Sequence, residues 1–343
     1  MALGDGRIRI AIAGCGRWGV NYVRAYLAMD GVELVGVSDP DANAVKRISR
    51  LLGNMPAYAD WRVMLKELNP EAMVVATPAS LHYGVVSGAL ERGLHVLVEK
   101  PLTNDSRKAA ALVKLAEKRQ RILMVGHIFH YHRAVERLEA MIAGGELGAI
   151  RYMYSVRTNL GPIRKDVNVL WDLAAHDVAI LLLLAKDAPA EVTASGQSYL
   201  RGGIADVAFG TLYFQKRRTI GHFQVSWLDP HKVRQLTIIG SRRMAEFDDI
   251  NTQEPLRIYD RGVDREKHFS DFGEFQLQLR DGDIHIPRVA VEEPLRVECA
   301  HFVECVRSGK TPRTDGRFGL AVVKVLEALD ESLRHRGRPV KVR

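Results

Sequence analysis

The chain has 343 residues, of which 47% are apolar and 26% charged, and its 49 Lys and Arg exceed its 41 Asp and Glu to give a formal charge of +8. A chain of this length and makeup folds as a globular protein with room for two domains rather than one ordinary core. Its longest apolar run, residues 178–185, is far too short to cross a bilayer, which excludes a helical membrane protein on pattern.

The first stretch of order is residues 8–39, IRIAIAGCGRWGVNYVRAYLAMDGVELVGVSD. It reads as a buried strand over 8–13, a glycine turn, a helix over about 19–29 and a second buried strand over 33–38, which together make one βαβ unit. The turn is G-x-G-x-x-G, and each glycine has a physical task. Gly14 turns the backbone tightly, Gly16 lets a pyrophosphate approach the main chain, and Gly19 lets the helix pack closely on the strand. The anion then lies on the N–H groups at the positive end of the helix, with Arg17 and Trp18 in its first turn. Asp39 follows the second strand at the distance where a carboxylate accepts hydrogen bonds from a ribose 2′-OH and repels a 2′-phosphate, so NAD is the expected cofactor. Lys46 and Arg47, on the next helix, are the residues that could instead accommodate the extra phosphate of NADP.

Helices are expected over 40–52 and from Asp60, an N-cap, to residue 68. The apolar run 72–77 is a parallel-sheet strand closed by Thr77 and Pro78, and these two with His82 are placed at the cofactor edge of the sheet. A helix over 81–92, a strand over 94–98, a helix over 104–120 and a strand over 122–125 complete a doubly wound parallel sheet. The strand over 94–98 ends in Glu99, Lys100 and Pro101, on the cofactor side. A lysine there is positioned to polarise a substrate oxygen, with Glu99 holding its charge; the bland account is a surface turn.

From residue 127 the pattern changes, and the boundary is set there: 1–126 for the nucleotide-binding domain, 127–343 for a second α/β domain. The expected elements are a helix over 133–143, a strand over 150–158, a loop over 160–169 and a helix over 171–186. Strands follow at 191–198, 206–215, 218–227, 232–240, 244–248 and 256–259. With no helix between them, these predict a large open, mostly antiparallel sheet. Residues 260–288 read as an irregular polar excursion, followed by helices over 295–308 and 316–336. On the second domain's first long helix stands WDLAAHD, in which Asp172 and His176 are four apart and project from one face. An imidazole held by a carboxylate suits the base needed to take a hydroxyl proton, and an amphipathic helix with a satisfied histidine accounts for the same residues equally well. The trio His127, His130 and His132 has no acid or cysteine at ligand spacing, so no metal is expected.

Three cysteines, Cys15, Cys299 and Cys305, are too few and too scattered for a disulfide framework or a zinc site. The N-terminus has no apolar signal region, so a cytoplasmic protein is expected. The basic run at 334–343 reads as a solvated terminus rather than a nucleic-acid tail, and the positive balance suits an anionic small substrate or cofactor.

Taken together, AGCGRWG in the first turn, ATPASLHYGVVSGALERGLHVLVEKPL over 76–102 and WDLAAHD over 171–177 resemble the glucose-fructose oxidoreductase, inositol dehydrogenase and rhizopine-catabolism (Gfo/Idh/MocA) oxidoreductases, across nearly the whole chain. The resemblance implies a dinucleotide domain, a second domain whose open sheet supports homodimers or homotetramers, a substrate between the two, and catalytic roles for Lys100, Asp172 and His176. The stretch NLGPIRKDVNVLWDLAAHD is similar to that of members acting on nucleotide-linked sugars, such as UDP-N-acetylglucosamine 3-dehydrogenases. That implies substrate contacts from Arg157, Asn159, Arg164, Lys165 and Asn168; exposed basic loop residues are the plain alternative. The expected activity is NAD-linked oxidation of a secondary hydroxyl of a sugar. The rivals are an enzyme for a free sugar, inositol or sugar acid, a ketoreductase, and a cofactor-bound regulator without chemistry.

Overall fold

The computed structural model describes residues 6–216, 218–265 and 277–343. The chain divides into two compact units, Met1–Tyr131 with Glu292–Lys324, and His132–Val291 with Val325–Arg343.

The first unit is built on a six-stranded parallel sheet in the order β3-β2-β1-β4-β5-β6. Its strands are β1 (Ile8–Ala13), β2 (Val32–Ser38), the two-residue β3 (Ala57–Tyr58), β4 (Ala72–Val75), β5 (His95–Glu99) and β6 (Leu123–Gly126). All four residues of β4 and of β6 are buried, as continuous apolar runs require of strands covered on both faces. The helices between them are α1 (Arg17–Leu27), α2 (Ala42–Leu52), α3 (Trp61–Leu68), α4 (Ala79–Glu91) and α5 (Ser106–Arg119). The winding reverses between β1 and β4, which makes the C-terminal ends of those strands the switch point where ligands of such sheets bind. The short β3 carries too little pattern to be legible in sequence.

One helix assigned by sequence to the second domain belongs here. Leu295, Cys299, Phe302 and Val303 of α8 (Pro294–Ser308) share one buried core with Tyr22, Val23 and Tyr26 of α1. A division at residue 126 separates the partners of that core, because the chain returns to the first sheet after an excursion of some length.

The second unit has a nine-stranded sheet in the order β14-β13-β12-β11-β7-β10-β9-β8-β15. The strands are β7 (Ile150–Leu160), β8 (Glu191–Gln197), β9 (Val207–Phe214), β10 (Thr219–Ser226), β11 (Leu228–Gly240), β12 (Met244–Asp248), β13 (Leu256–Arg265), β14 (Leu277–His285) and β15 (Val340–Lys341). Every neighbouring pair is antiparallel except β7 and β10, which run parallel. Helices α6 (Arg133–Ala143) and α7 (Ala175–Ala185) cover one face, and α7 buries nine of its eleven residues, which is why its sequence AHDVAILLLLA is apolar nearly all round.

The described residues of the polar stretch expected to be irregular over 260–288 are largely sheet. They supply the end of β13 and all of β14, with Arg261 and Asp281 paired across the strands at 2.6 Å; residues 266–276 lie outside the described residues. Strands at a sheet edge tolerate charge on both faces, so alternation was the wrong signal to require. The expected basic tail likewise gives β15 to the opposite edge of the same sheet, beside β8. The last helix, α9 (Gly316–Arg334), closes the chain's helical content as expected.

Candidate active site

The glycine turn after β1 is shaped for a bound anion. Gly14 has φ +98, a conformation that side chains disfavour, and a Cβ there would meet the Ala76 carbonyl oxygen at 2.5 Å. A Cβ on Gly19 would run into the Gly14 carbonyl, so helix and strand are as close as the sequence implies. At Gly16 a Cβ would meet nothing within 4 Å, so the main chain there lies open to an approaching group. Helices α2, α3 and α5 have Asp41, Asp60 and Asp105 as side-chain caps, whereas α1 begins at Gly16 with no side-chain cap. Helix α4, which follows Pro78, likewise has no side-chain cap, so the first amides of both helices at this edge of the sheet have no capping side chain.

Asp39, just past β2, is fixed against that turn. Its Oδ2 accepts the Cys15 N–H at 2.7 Å and its Oδ1 the Asp41 N–H at 2.9 Å. The buried Cys15 thiol is pushed up to about 12 by burial and by the Asp39 charge, so it stays neutral within the turn. The residues present fit a dinucleotide, with the glycine turn for its pyrophosphate and Asp39 for a ribose.

Two further strand ends lie along the same edge. Thr77 and Pro78 follow β4, and Lys100 and Pro101 follow β5, joined by a cis peptide bond. His82, expected to border the cofactor, is 1% exposed and lies between these ends, with Nδ1 2.9 Å from the Pro101 carbonyl oxygen and Nε2 2.9 Å from that of Thr77; a neutral ring donates to one of the two. Burial holds its pKa below the ordinary imidazole range. Glu99 is buried while Lys100 is half-buried, so the strand changes from interior to edge between these two residues.

In the second unit, Asp172 lies in a π-helical turn (Leu170–Ala174) and His176 in the first turn of α7. The straight four-residue spacing read from sequence is therefore interrupted by a wider turn, a feature common at functional sites. Asp172 Oδ2 accepts from Trp227 Nε1 at 3.1 Å, and its Oδ1 is 3.9 Å from Arg164 NH1. Arg164 also clasps Asp166 with Nε and NH2 at 3.0 and 2.9 Å. Asn168 starts the turn from below: its Oδ1 accepts the N–H groups of Leu170 and Trp171, and its Nδ2 donates to Asp330 at 2.7 Å. Arg157, grouped by sequence with exposed loop contacts, is instead 5% exposed within β7 and makes a bidentate pair with Asp177, Nε–Oδ2 2.8 Å and NH2–Oδ1 3.3 Å. Asn159 is half-buried near the end of β7, and Lys165 is exposed.

Comparison with known proteins bears on what this arrangement is. A profile described as "Oxidoreductase family, NAD-binding Rossmann fold" matches residues 8–127, and one described as "GFO/IDH/MocA C-terminal domain" matches residues 135–246. UDP-N-acetylglucosamine 3-dehydrogenase of Acidithiobacillus ferrooxidans is 31% identical over 259 residues, 75% of this chain and 78% of that one. The chain belongs to the GFO/IDH/MocA oxidoreductase family. A solved structure of that same dehydrogenase superposes with a TM-score of 0.80 at 25% identity, covering 96% of this chain and 98% of the other. Among its other relatives is scyllo-inositol 2-dehydrogenase (NAD(+)) of Bacillus subtilis, 26% identical over 98% of this chain and 96% of that one. This GFO/IDH/MocA chain is accordingly an NAD(P)-dependent oxidoreductase acting on CH–OH groups, with an NAD-binding Rossmann domain.

In the histidine-rich segment of this family member, His127 and His130 lie together, their ring centroids 6.3 Å apart and both rings edge-on to Phe318, while His132 stands apart. His127 follows β6 as Lys100 follows β5, the strands being paired through Glu99 and Gly126, and burial, followed by the neighbouring His130 and Lys100, holds its pKa well below the ordinary range. His130 packs edge-on against Phe318 with centroids 4.5 Å apart, and His132 caps α6 by accepting the Ala134 N–H. Among the described residues no group of three His, Cys, Asp or Glu could hold a metal ion, and no helix is long and apolar enough to cross a membrane. Sequence reasoning passed over Trp227 and Asp177, of which only Asp177 carried a signal, its place beside His176; Trp227 reaches Asp172 from the residue after β10.

Proposed function

We propose that this oxidoreductase oxidises a secondary hydroxyl, C3, of a nucleotide-linked sugar such as UDP-N-acetylglucosamine, with NAD in preference to NADP. The observation that carries the reading is the likeness to UDP-N-acetylglucosamine 3-dehydrogenase over 78% of that enzyme's length, with Lys100, Asp172 and His176 all present. His176 accepts the hydroxyl proton, Asp172 orients the imidazole, and the Lys100 ammonium stabilises the developing alkoxide. Bound NAD supplies the acceptor for the hydride. Asp172 suits an orienting role because Trp227 Nε1 and Arg164 fix the carboxylate in its π-helical turn. Arg164 and Lys165, exposed ahead of that turn, are the cations offered to a diphosphate; Asn159 stands with them as a sugar contact, and Asn168 and Arg157 contribute from beneath.

The test is an NADH-formation assay with UDP-N-acetylglucosamine, free N-acetylglucosamine and scyllo-inositol side by side. Turnover confined to the UDP-sugar is expected. Turnover confined to inositol would replace this reading with that of a free-polyol enzyme, the second reading, which the match to the inositol dehydrogenase along 98% of this chain favours.

Asp39 supports the NAD preference, since its charge stands where a 2′-phosphate would be added. Asp39→Ser is expected to lower the ratio of NAD to NADP affinity by roughly tenfold to a hundredfold, the worth of charged hydrogen bonds of about 1.5–3 kcal/mol. Calorimetric titration with each cofactor measures it, and an unchanged ratio would remove Asp39 from the reading.

Assembly into homodimers or homotetramers is part of the proposal. Tyr152 and Tyr154 of β7, Tyr213 of β9 and Ile220 of β10 line the sheet face away from α7, each about 40% exposed, with Ile220 in register with both Tyr152 and Tyr213. Such a contiguous apolar face is suited to a second copy of itself. Light scattering is expected to give a multiple of the 38.3 kDa chain mass, and Tyr154→Glu to reduce it.

A further inference from the structure

Glu298, on α8, is fully buried and faces a second buried carboxyl, Glu99, across a single phenol. Tyr22 Oη lies 3.0 Å from Glu99 Oε1 and 3.1 Å from Glu298 Oε1. A phenol has one hydrogen and can donate to only one of these oxygens. The second contact is a hydrogen bond only when its carboxyl is protonated and donates to the phenol oxygen. Asymmetry selects which carboxyl holds that proton. Glu99 Oε2 accepts the Lys100 backbone N–H at 3.1 Å, whereas Glu298 Oε2 has no hydrogen-bond partner among the described residues. A bare buried oxygen costs far more on a carboxylate than on a carboxylic acid.

We propose that Glu298 is held as a neutral acid donating to Tyr22, which in turn donates to Glu99 and keeps it the anion behind Lys100. Tyr22 and Glu298 are thus positioning residues for that lysine, a role that rests on the part given to Lys100 above. Burial, followed by the charge of Glu99, pushes the Glu298 carboxyl well above the usual range. Burial pushes Glu99 only up to about 7, because Lys100 and the Tyr22 hydroxyl oppose it. The other titratable groups around the pair are Tyr26 on α1, Cys299 on α8 and Glu293 just ahead of it, Tyr131 after β6, and His127 beside Lys100. Burial raises the pKa of Tyr26, Tyr131 and Cys299 and so keeps them neutral, and Glu293 is partly exposed and paired with Arg24 at 2.8 Å.

Two measurements on the full chain test this without any substrate. In thermal unfolding across pH, the unfolded chain ionises Glu298 at the ordinary carboxylate pKa while the folded chain keeps its proton, so the wild type loses stability as pH rises above that value. Glu298→Gln has no proton to lose, and its melting temperature relative to wild type is expected to climb steadily with pH. A flat or falling difference would show Glu298 ionised in the native protein and overturn the proposal. In trace acylation with acetic anhydride, read at Lys100 by mass spectrometry, Tyr22→Phe removes the donor to Glu99 and is expected to move the Lys100 pH profile downward, while Glu298→Gln, whose amide still donates to the phenol, leaves it in place. Superimposable wild-type and Tyr22→Phe profiles would overturn the link to Lys100. Should Lys100→Ala retain turnover, the catalytic reading would fail while both of these results kept their meaning.

Discussion

Alanine in place of Lys100 or of His176 is expected to lower turnover by roughly a hundredfold to ten-thousandfold each, with NAD binding retained. The proton of a secondary alcohol is weakly acidic, so oxidation requires a base for it and a positive group beside the oxygen as charge develops there. In the proposed reaction the first is the part given to His176, at the start of α7, and the second the part given to Lys100, after β5. Neither belongs to the glycine turn or to Asp39, to which the proposal assigns cofactor affinity. The double variant is expected to be little slower than the worse single one, because groups that act on one proton and one oxygen fail together. Steady-state kinetics paired with NAD titration separate the outcomes. Loss of NAD binding in both variants would make the two residues structural, and turnover that survives Lys100→Ala would end the proposed mechanism. Lys100→Met keeps most of the side-chain stem and controls for lost packing.

The parallel sheet and its cofactor edge were legible because their signals are local. A buried strand, three glycines and an acid at fixed distance occupy residues 8–39, and the structure puts Gly14 at the tight turn, Gly19 against it and Asp39 bonded to the Cys15 N–H. Less legible was whatever depends on elements meeting across long separations. Tyr22 reaches Glu298 over 276 positions, and nothing in the sequence near Cys299 announces that α8 packs on the first sheet. Period-based reasoning also failed where a charged pair replaced alternation, as in β13 and β14, and where a π-helical turn widened the helix at Asp172. His82, expected beside the cofactor from its place after β4, is buried with its two ring nitrogens facing the carbonyls of Thr77 and Pro101.

Asp177→Ala is expected to destabilise the second unit by about 3–5 kcal/mol, because it removes the carboxylate that meets the buried Arg157 guanidinium in bidentate geometry. The two side chains are 6% and 3% exposed and meet in bidentate geometry, so neither has water to fall back on. For a unit of this size that loss corresponds to a melting shift of roughly 6–20 °C, readable by calorimetry. Replacing both partners, Arg157→Leu with Asp177→Leu, is expected to recover most of the loss, since a well-packed apolar pair is often as stable as a buried ion pair. The same variants decide between the two roles offered for Arg157. A substrate contact predicts that Arg157→Leu raises KM with little change in melting temperature. A strut between β7 and α7 predicts a lowered melting temperature and, in the rescued double variant, a fall in kcat with KM nearly unchanged. The second outcome is expected, because Asp177 adjoins His176 and the ion pair fixes the start of the helix from which that imidazole projects.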